Sequence, residues 1–490
     1  MLTKTKFVEF MKCNNISWLE ENYKAILNDD NKNTSDGILV GNLARNLFGD
    51  YVLIDSSKYD QNELVRETKK HIEDLTNVIC EATFKYKDLL CKVDILKRNP
   101  DNTYNIYEVK ASTYTGKLDK NYLLDIAYQK YVVTNSLVDV KDTYLVLLNP
   151  KYIKNGELEL NKLFKIINVN EYLTSIKVDK YIYEYFKYIK ETDEPKIEVG
   201  SKCNDCKYNE YCFEKLNIKN DNNSILKLYN CRKKYDYINE GILTFEDIYN
   251  TKYFDDLNEF NQRIIDFYIN KKDIYYDKNR IKEFLSNIKF PIYFFDFETY
   301  QMPIPEFDNS KPYQQIPFQY SLHIMDSDYN LIHKEFLGDG ITDPRLALKN
   351  QMIKDLGESG TIIAYNHSFE KTRIKELMDI FPEDRLVLEK INERFIDLAD
   401  PFQKCMYYNH LMIRTSIKDV LPSIFPTDPT LDYHNLENVH KGDEASNAYL
   451  NLKNLDEENK VIIRNSLLKY CCLDTYAMVK IYLYLIDIVK

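Results

Sequence analysis

Residues 291–300, PIYFFDFETY, decide how this chain is read. The apolar run Ile292, Tyr293, Phe294, Phe295 passes without Gly or Pro into Asp296-x-Glu298, the pattern of a buried strand that ends by presenting two carboxylates. Side chains alternate along a strand, so Asp296 and Glu298 share a face. Two like charges beside an apolar core are costly to bury unless a cation lies between them. These residue types therefore point to a divalent metal.

Working outward, residues 361–367 (TIIAYNH) read as a second short strand, and SFEKTRIKEL after it as a helix that places Glu370 close behind the strand end. Near the C-terminus, LLKYCCLDTYAMVKIYLYL has helical apolar spacing, with Tyr470 and Asp474 four apart on one face. A strand Asp-x-Glu, an acid at a strand-to-helix junction and a late Tyr-x-x-x-Asp, in that order, resemble the DnaQ-like 3′–5′ exonucleases that carry a tyrosine in their last motif. The resemblance spans residues 290–490 and implies an RNase H-like mixed sheet flanked by helices. It implies that Asp296, Glu298, Glu370 and Asp474 hold two Mg²⁺ or Mn²⁺ ions and that Tyr470 orients the attacking water. Paired ions of this kind lie about 3.5–4 Å apart, one activating water and one stabilising the leaving oxygen. Those enzymes have Asp where this chain has Glu370, one methylene longer, so metal or backbone must shift. Asp397 in RFIDLAD is open to two roles, orienting the site or replacing Glu370 as a ligand.

A second constellation lies at residues 80–112. The sequence alternates like strands and breaks at Asn99-Pro100-Asp101-Asn102, which predicts a three-stranded meander. Asp94 is followed after thirteen residues by Glu108-x-Lys110, whose two side chains share a strand face. With Gln129 on the helix predicted for DKNYLLDIAYQKYVV, this resembles the PD-(D/E)xK nuclease core of the RecB-like branch. The resemblance implies that Asp94 and Glu108 bind Mg²⁺, that Lys110 polarises the water or phosphate, and that Gln129 positions water or strand.

Cys203-x2-Cys206-x5-Cys212 groups three thiols at chelating spacing. Cys13, between two predicted helices of the first 24 residues, is the candidate fourth. One N-terminal and three C-terminal cysteines around such a core resemble the RecB-like nucleases that hold a [4Fe–4S] cluster. Zinc, with His71 or Cys231 completing the set, is the alternative. GILVGNLARNLFG reads as a core helix ended by Gly49, and it lacks the acid that RecB-like enzymes often carry there.

The expected organisation is an α/β chain in three parts: a RecB-like restriction-endonuclease-like domain over residues 1–215, a helical linker over 216–289, and the DnaQ-like domain over 290–490. The linker's Thr244-x-x-Asp247 is a capping-box start. The proline-rich segment MPIPEFDNSKPYQQIPF reads either as a cover that stacks a base or as a long surface loop. The joined arrangement resembles a family of uncharacterised bacterial proteins whose C-terminal part is a domain of unknown function. Its signatures stand here as Phe369-Glu370-Lys371, Ser416-Ile417-Lys418 and Tyr470-Cys471-Cys472-Leu473-Asp474-Thr475.

Composition bounds the partners. The 490 residues carry a net charge of −11; from Pro291 onward there are 21 Lys+Arg against 31 Asp+Glu, net −10, leaving −1 for the rest. The acidic part is the part with the metal-site candidate, which argues against a high-affinity duplex binder; the single-stranded DNA or RNA that the resemblances imply as partner must then be held by local patches, stacking and metal bridges. No uncharged apolar run of 18 residues and no signal-peptide core occur, so a cytoplasmic protein without membrane association is expected. Ten cysteines then read as reduced thiols and metal ligands. No P-loop motif occurs, so unwinding falls to a partner such as a helicase or another repair or defence protein. The rival reading is a catalytically degenerate nucleic-acid-binding or scaffold protein stabilised by its cysteine site.

Overall fold

The apolar alternation that predicts strands at both sites folds into two separate sheets, each covered by helices that bury its apolar faces. A computed structural model describes residues 1–22, 34–272, 274–408 and 415–490. The chain is mixed α/β and divides into two compact units, Met1–Cys212 with Met302–Gln314, and Phe213–Gln301 with Gln315–Lys490.

The first unit is built on seven strands: β1 (Leu2–Thr3), β2 (Val52–Leu53), β3 (Val78–Tyr86), β4 (Leu89–Arg98), β5 (Tyr104–Thr113), β6 (Val140–Leu148) and β7 (Phe164–Asn168). They lie in the order β2-β3-β4-β5-β6-β7, with β1 added alongside β4. β3, β4 and β5 are mutually antiparallel, whereas β6 runs parallel to β5. The β4–β5 ladder starts at Arg98–Tyr104 and stops at Ile95–Tyr107; beyond it β1 takes over pairing with Leu89 and Leu90 of β4. The two strands part where Asp94 and Glu108 stand.

Helices α1 (Lys4–Lys12), α2 (Asn14–Asn22), α3 (Thr34–Arg45), α4 (Gln61–Glu73), α5 (Lys120–Asn135) and α6 (Val178–Tyr188) complete this unit. Asp119 caps α5 by accepting from the backbone N–H of Asn121. Phe7, Tyr128, Ile106, Leu145 and Tyr185 are buried in one core cluster. The proline-rich segment packs here through Ile304 and Tyr313, beside Val40, Cys80 and Tyr107. The Tyr313 hydroxyl donates to the Ala111 carbonyl at 2.8 Å, and Asp308 accepts from Lys154 Nζ at 3.0 Å.

The second unit carries β9 (Ile292–Tyr300), β10 (Ile316–Met325), β11 (Leu331–Leu337), β12 (Thr361–Ala364) and β13 (Phe395–Asp397) in the order β11-β10-β9-β12-β13; β8 (Ile274–Tyr276) and β14 (Met406–Tyr408) form a separate ribbon. The β11–β10–β9 half is antiparallel and the β9–β12–β13 half parallel. Alternation sorts the faces. Phe295, Phe297, Tyr320 and Leu322 bury against α7 (Arg345–Leu356), α8 (Ser368–Ile380) and α9 (Arg385–Glu393). The opposite face carries Glu298, Asp296, Ser321 and His323 toward the 33-residue helix α12 (Glu457–Val489). The shorter helices α10 (Ile417–Ile424) and α11 (Gly442–Asn451) pack beside α12. Residues between the sheets form short helices, and Thr244 and Asp247 make the reciprocal capping box their spacing predicts. No described helix is long and apolar enough to cross a membrane.

Candidate metal centres

In the second unit, β9 brings Asp296 and Glu298 to one face, where a carboxylate oxygen of each and the Cys471 sulfur lie within 4.8 Å of one another. β12 ends at Ala364; Asn366 then turns the chain with φ +61°, and α8 starts two residues later with Glu370 in its first turn. α12 supplies Tyr470 and Asp474 one turn apart. The four carboxylates converge. Burial, then Asp474, Glu298 and Glu370, push the Asp296 carboxyl well above its ordinary range. Burial and Asp474 do the same to Glu298. Burial and the charge of Asp397 push Glu370 up to about 8, and burial pushes Asp474 to about 6 against the pull of Tyr433 and Lys418. Glu370 Oε2 is buried without a hydrogen-bond partner. Crowded acids that stay raised despite Lys418 and Arg373 nearby, one with an orphaned oxygen, fit a divalent ion bound by oxygen ligands.

Two neighbours lacked a role in the sequence reading. Tyr433 donates its hydroxyl to Asp474 Oδ1 at 2.6 Å. Lys418 Nζ, on α10, donates to the Tyr470 hydroxyl at 2.9 Å and lies 4.9 Å from the centroids of both the Tyr433 and Tyr470 rings. Asp397 accepts from the backbone N–H of Asn366 at 2.8 Å and of Ala399 at 3.0 Å, so it braces the turn leading into α8.

In the first unit, Asp94 on β4, Glu108 and Lys110 on β5, and Gln129 on α5 form one polar cluster. Lys110 Nζ donates to Glu108 Oε1 at 2.7 Å and to Asp125 Oδ2 at 2.5 Å. Gln129 Nε2 donates to Glu108 Oε2 at 2.7 Å and to Asp125 Oδ1 at 2.8 Å. Asp94 Oδ2 accepts from the Val109 N–H at 2.8 Å, a group freed by the parting of the strands. The sequence reading missed Lys4 and Asp125. Lys4, in the first turn of α1, places Nζ 2.8 Å from Glu108 Oε1 and 3.8 Å from Asp94 Oδ1, bridging the two predicted metal ligands. Asp125 sits one helical turn before Gln129, a spacing that could have flagged it. The ammoniums hold Glu108 below the carboxylate range, whereas burial and Glu108 push Asp94 up to about 7. A cleft of about 340 Å³ opens beside Asp94 and Glu108, lined also by Gly37, Gly41, Arg45 and Glu81. Arg45 donates to Glu81 Oε1 at 2.7 Å, and Glu81 takes a left-handed φ of +59°. An acid from β3, Glu81, and its partner from α3, Arg45, therefore stand at this cleft.

Cys13 caps α1, and Cys203, Cys206 and Cys212 join it around a cavity of about 460 Å³. Burial and the other three thiols push Cys212 up to about 12. Four thiols facing one space fit a thiophilic metal group, which takes their protons on binding. His71, on α4, contacts Thr76 Oγ1 at 3.3 Å and does not line this cavity; Cys231 belongs to the second unit.

Comparisons place residues 293–416 within a family model described as a domain of unknown function, DUF2779. The chain is 30% identical over 233 residues, 43% of its length and 34% of the relative's, to the uncharacterized protein MG366 of Mycoplasma genitalium. It is 31% identical over 180 residues, 33% of its length and 26% of the relative's, to the uncharacterized protein UU173 of Ureaplasma parvum. The chain thus spans about a third or less of each of these curated relatives.

Proposed function

We propose that the chain is a metal-dependent nuclease whose second unit, a DnaQ-like domain of the RNase H-like kind, hydrolyses the 3′-terminal phosphodiester of single-stranded DNA or RNA. The observation that carries this reading is the convergence of four buried carboxylates from β9, α8 and α12, each with a raised affinity for its proton. Asp296, Glu298, Glu370 and Asp474 would hold two Mg²⁺ or Mn²⁺ ions. When bound, such ions supply an activated water and neutralise charge on the leaving oxygen. Tyr433 fixes Asp474 by donating to Oδ1, which leaves Oδ2 for the site. Lys418 donates to the Tyr470 hydroxyl and holds the phenol beside Asp474, where it would orient a water. Burial keeps that phenol protonated by raising its pKa. The core behind β9 holds Asp296 and Glu298 rigidly, as positioning chemistry requires.

The first unit supports a second reading in the same chain. Its strand order, with Asp94, Glu108, Lys110 and Gln129 gathered where β4 and β5 part, supports a PD-(D/E)xK assignment. Its four thiols would hold a [4Fe–4S] cluster, favoured over zinc by where the cysteines fall relative to Asp94, Glu108, Lys110 and Gln129. Lys4 favours a binding role over cleavage there, because its ammonium bridges Asp94 and Glu108.

Cleavage of end-labelled single-stranded DNA and RNA in Mn²⁺ tests both. Shortening from the 3′ end that Asp296→Ala abolishes and Lys110→Ala leaves intact supports hydrolysis by the second unit alone. Loss with Lys110→Ala assigns cutting to the first unit. A wild-type chain inert on every substrate refutes the enzyme reading and leaves the scaffold.

A further inference from the structure

Next to the carboxylate centre, and distinct from it, lies a donor set of another chemistry. His323 on β10 and His333 on β11 are cross-strand partners, their ring centroids 4.5 Å apart. Cys472 reaches them from α12, and one donor atom from each of the three lies within 4.8 Å of the other two. Glu335, two residues beyond His333 on the same strand face, has Oε2 4.0 Å from His333 Nε2. Its charge also acts on Cys472.

The rings are pre-set by hydroxyls. His323 Nδ1 is 2.8 Å from Thr475 Oγ1, and His333 Nε2 is 2.9 Å from Ser321 Oγ. Thr475 and Ser321 are in turn 2.7 Å apart. One nitrogen of each ring is thus held, leaving Nε2 of His323 and Nδ1 of His333, the usual arrangement of imidazoles around a metal. Burial and the neighbouring ring lower His323 to about 4, so the ring is neutral and offers a lone pair at physiological pH.

The geometry points to a zinc-class divalent ion bound by His323, His333 and Cys472, with Glu335 turning from the Nε2 side of His333 to supply the fourth ligand. Two imidazoles, a thiolate and a carboxylate suit such an ion, whereas Mg²⁺ and Mn²⁺ prefer the all-oxygen site. Zinc at its ordinary bond lengths needs donors roughly 3.3–3.8 Å apart. Rotamer shifts of about an ångström bring the three from their present spacing to that distance. On binding, the Cys472 S–H bond breaks, its proton goes to solvent and a sulfur–metal bond forms, with no change of oxidation state. The ion would tie α12 to β10 and β11. Since α12 also carries Tyr470 and Asp474, the site would act as a strut for the carboxylate centre.

The test uses the full chain with Co²⁺ as the spectroscopic probe, comparing the wild type with Cys472→Ser and His333→Ala. His333 lies at the surface, with a 27% exposed side chain, so its variant keeps the test decisive if Cys472→Ser fails to fold. The thiols of the first unit are common to all three proteins and cancel in difference spectra. The expected result is one additional Co²⁺ per wild-type chain, with the strong visible bands of a tetrahedral ion and a sulfur-to-cobalt charge-transfer band, all lost in both variants. Equal Co²⁺ content and superimposable spectra, or a difference spectrum with only weak octahedral bands, overturn the proposal.

Discussion

Glu370 offers the sharpest quantitative test of the carboxylate cluster. Its carboxyl is pushed up to about 8 from an ordinary value of 4.5. A folded-state pKa above the unfolded one means that the folded chain holds its proton longer. The associated stability is therefore complete below pH 4.5 and is lost as pH rises to about 8. At pH 7 the loss is roughly 1.4 kcal/mol for each of about 2.5 pH units, or ~3 kcal/mol. Glu370→Gln removes this penalty, minus the few tenths of a kcal/mol that an acid in a helix's first turn contributes. At about 2–4 °C per kcal/mol for a unit of this size, the metal-free variant should melt roughly 5–10 °C above wild type at pH 7 and level with it near pH 4.5. Circular dichroism melts in chelator between pH 4.5 and 8 follow this. Mn²⁺ should then raise wild type more than the variant, since the ion needs the ionised oxygen. Parallel curves for the two proteins across that range would refute a crowded acid at Glu370.

Other outcomes follow from the same geometry. Lys4→Met leaves Glu108 paired with Lys110 alone and should destabilise the first unit by about 1 kcal/mol in urea melts, less than the cost of unpairing a buried charge outright; Mn²⁺ stoichiometry by titration calorimetry should rise by one. Cys203→Ser should abolish chain-bound iron in elemental analysis and lower the melting temperature of the first unit. Tyr470→Phe should cut kcat about 10²-fold with KM unchanged on a single-stranded substrate, because the water loses its orienting group. Gly360→Ala should cost at least ~2 kcal/mol in thermal melts, since a Cβ there would stand 2.1 Å from the Pro291 carbonyl oxygen at a φ of +90°.

What the sequence made legible was local. The apolar run before Asp296 marks β9, and the four-residue spacing of Tyr470 and Asp474 places both on one face of α12. The Asn-Pro-Asp-Asn break separates β4 from β5 where composition puts it. Contacts fixed by distant chain segments were not legible. Lys4 meets Glu108 104 residues away because β1 completes the β4 ladder, and nothing near Lys4 signals that. Lys418 stood in a noted Ser-Ile-Lys signature, but its role depends on Tyr470, 52 residues on. The strand predicted over residues 361–367 ends at Ala364, because the left-handed turn at Asn366 is needed to aim α8 and Glu370. His323, His333 and Cys472 escaped notice because cross-strand register, not spacing, unites them.

The account stands on the claim that Asp296, Glu298, Glu370 and Asp474 form a two-ion centre. Crystals of the full chain soaked in Mn²⁺ and measured at the manganese edge test it directly. Two anomalous peaks about 3.5–4 Å apart among these four carboxylates are the predicted result. No manganese among them, with peaks only elsewhere on the chain, would contradict it.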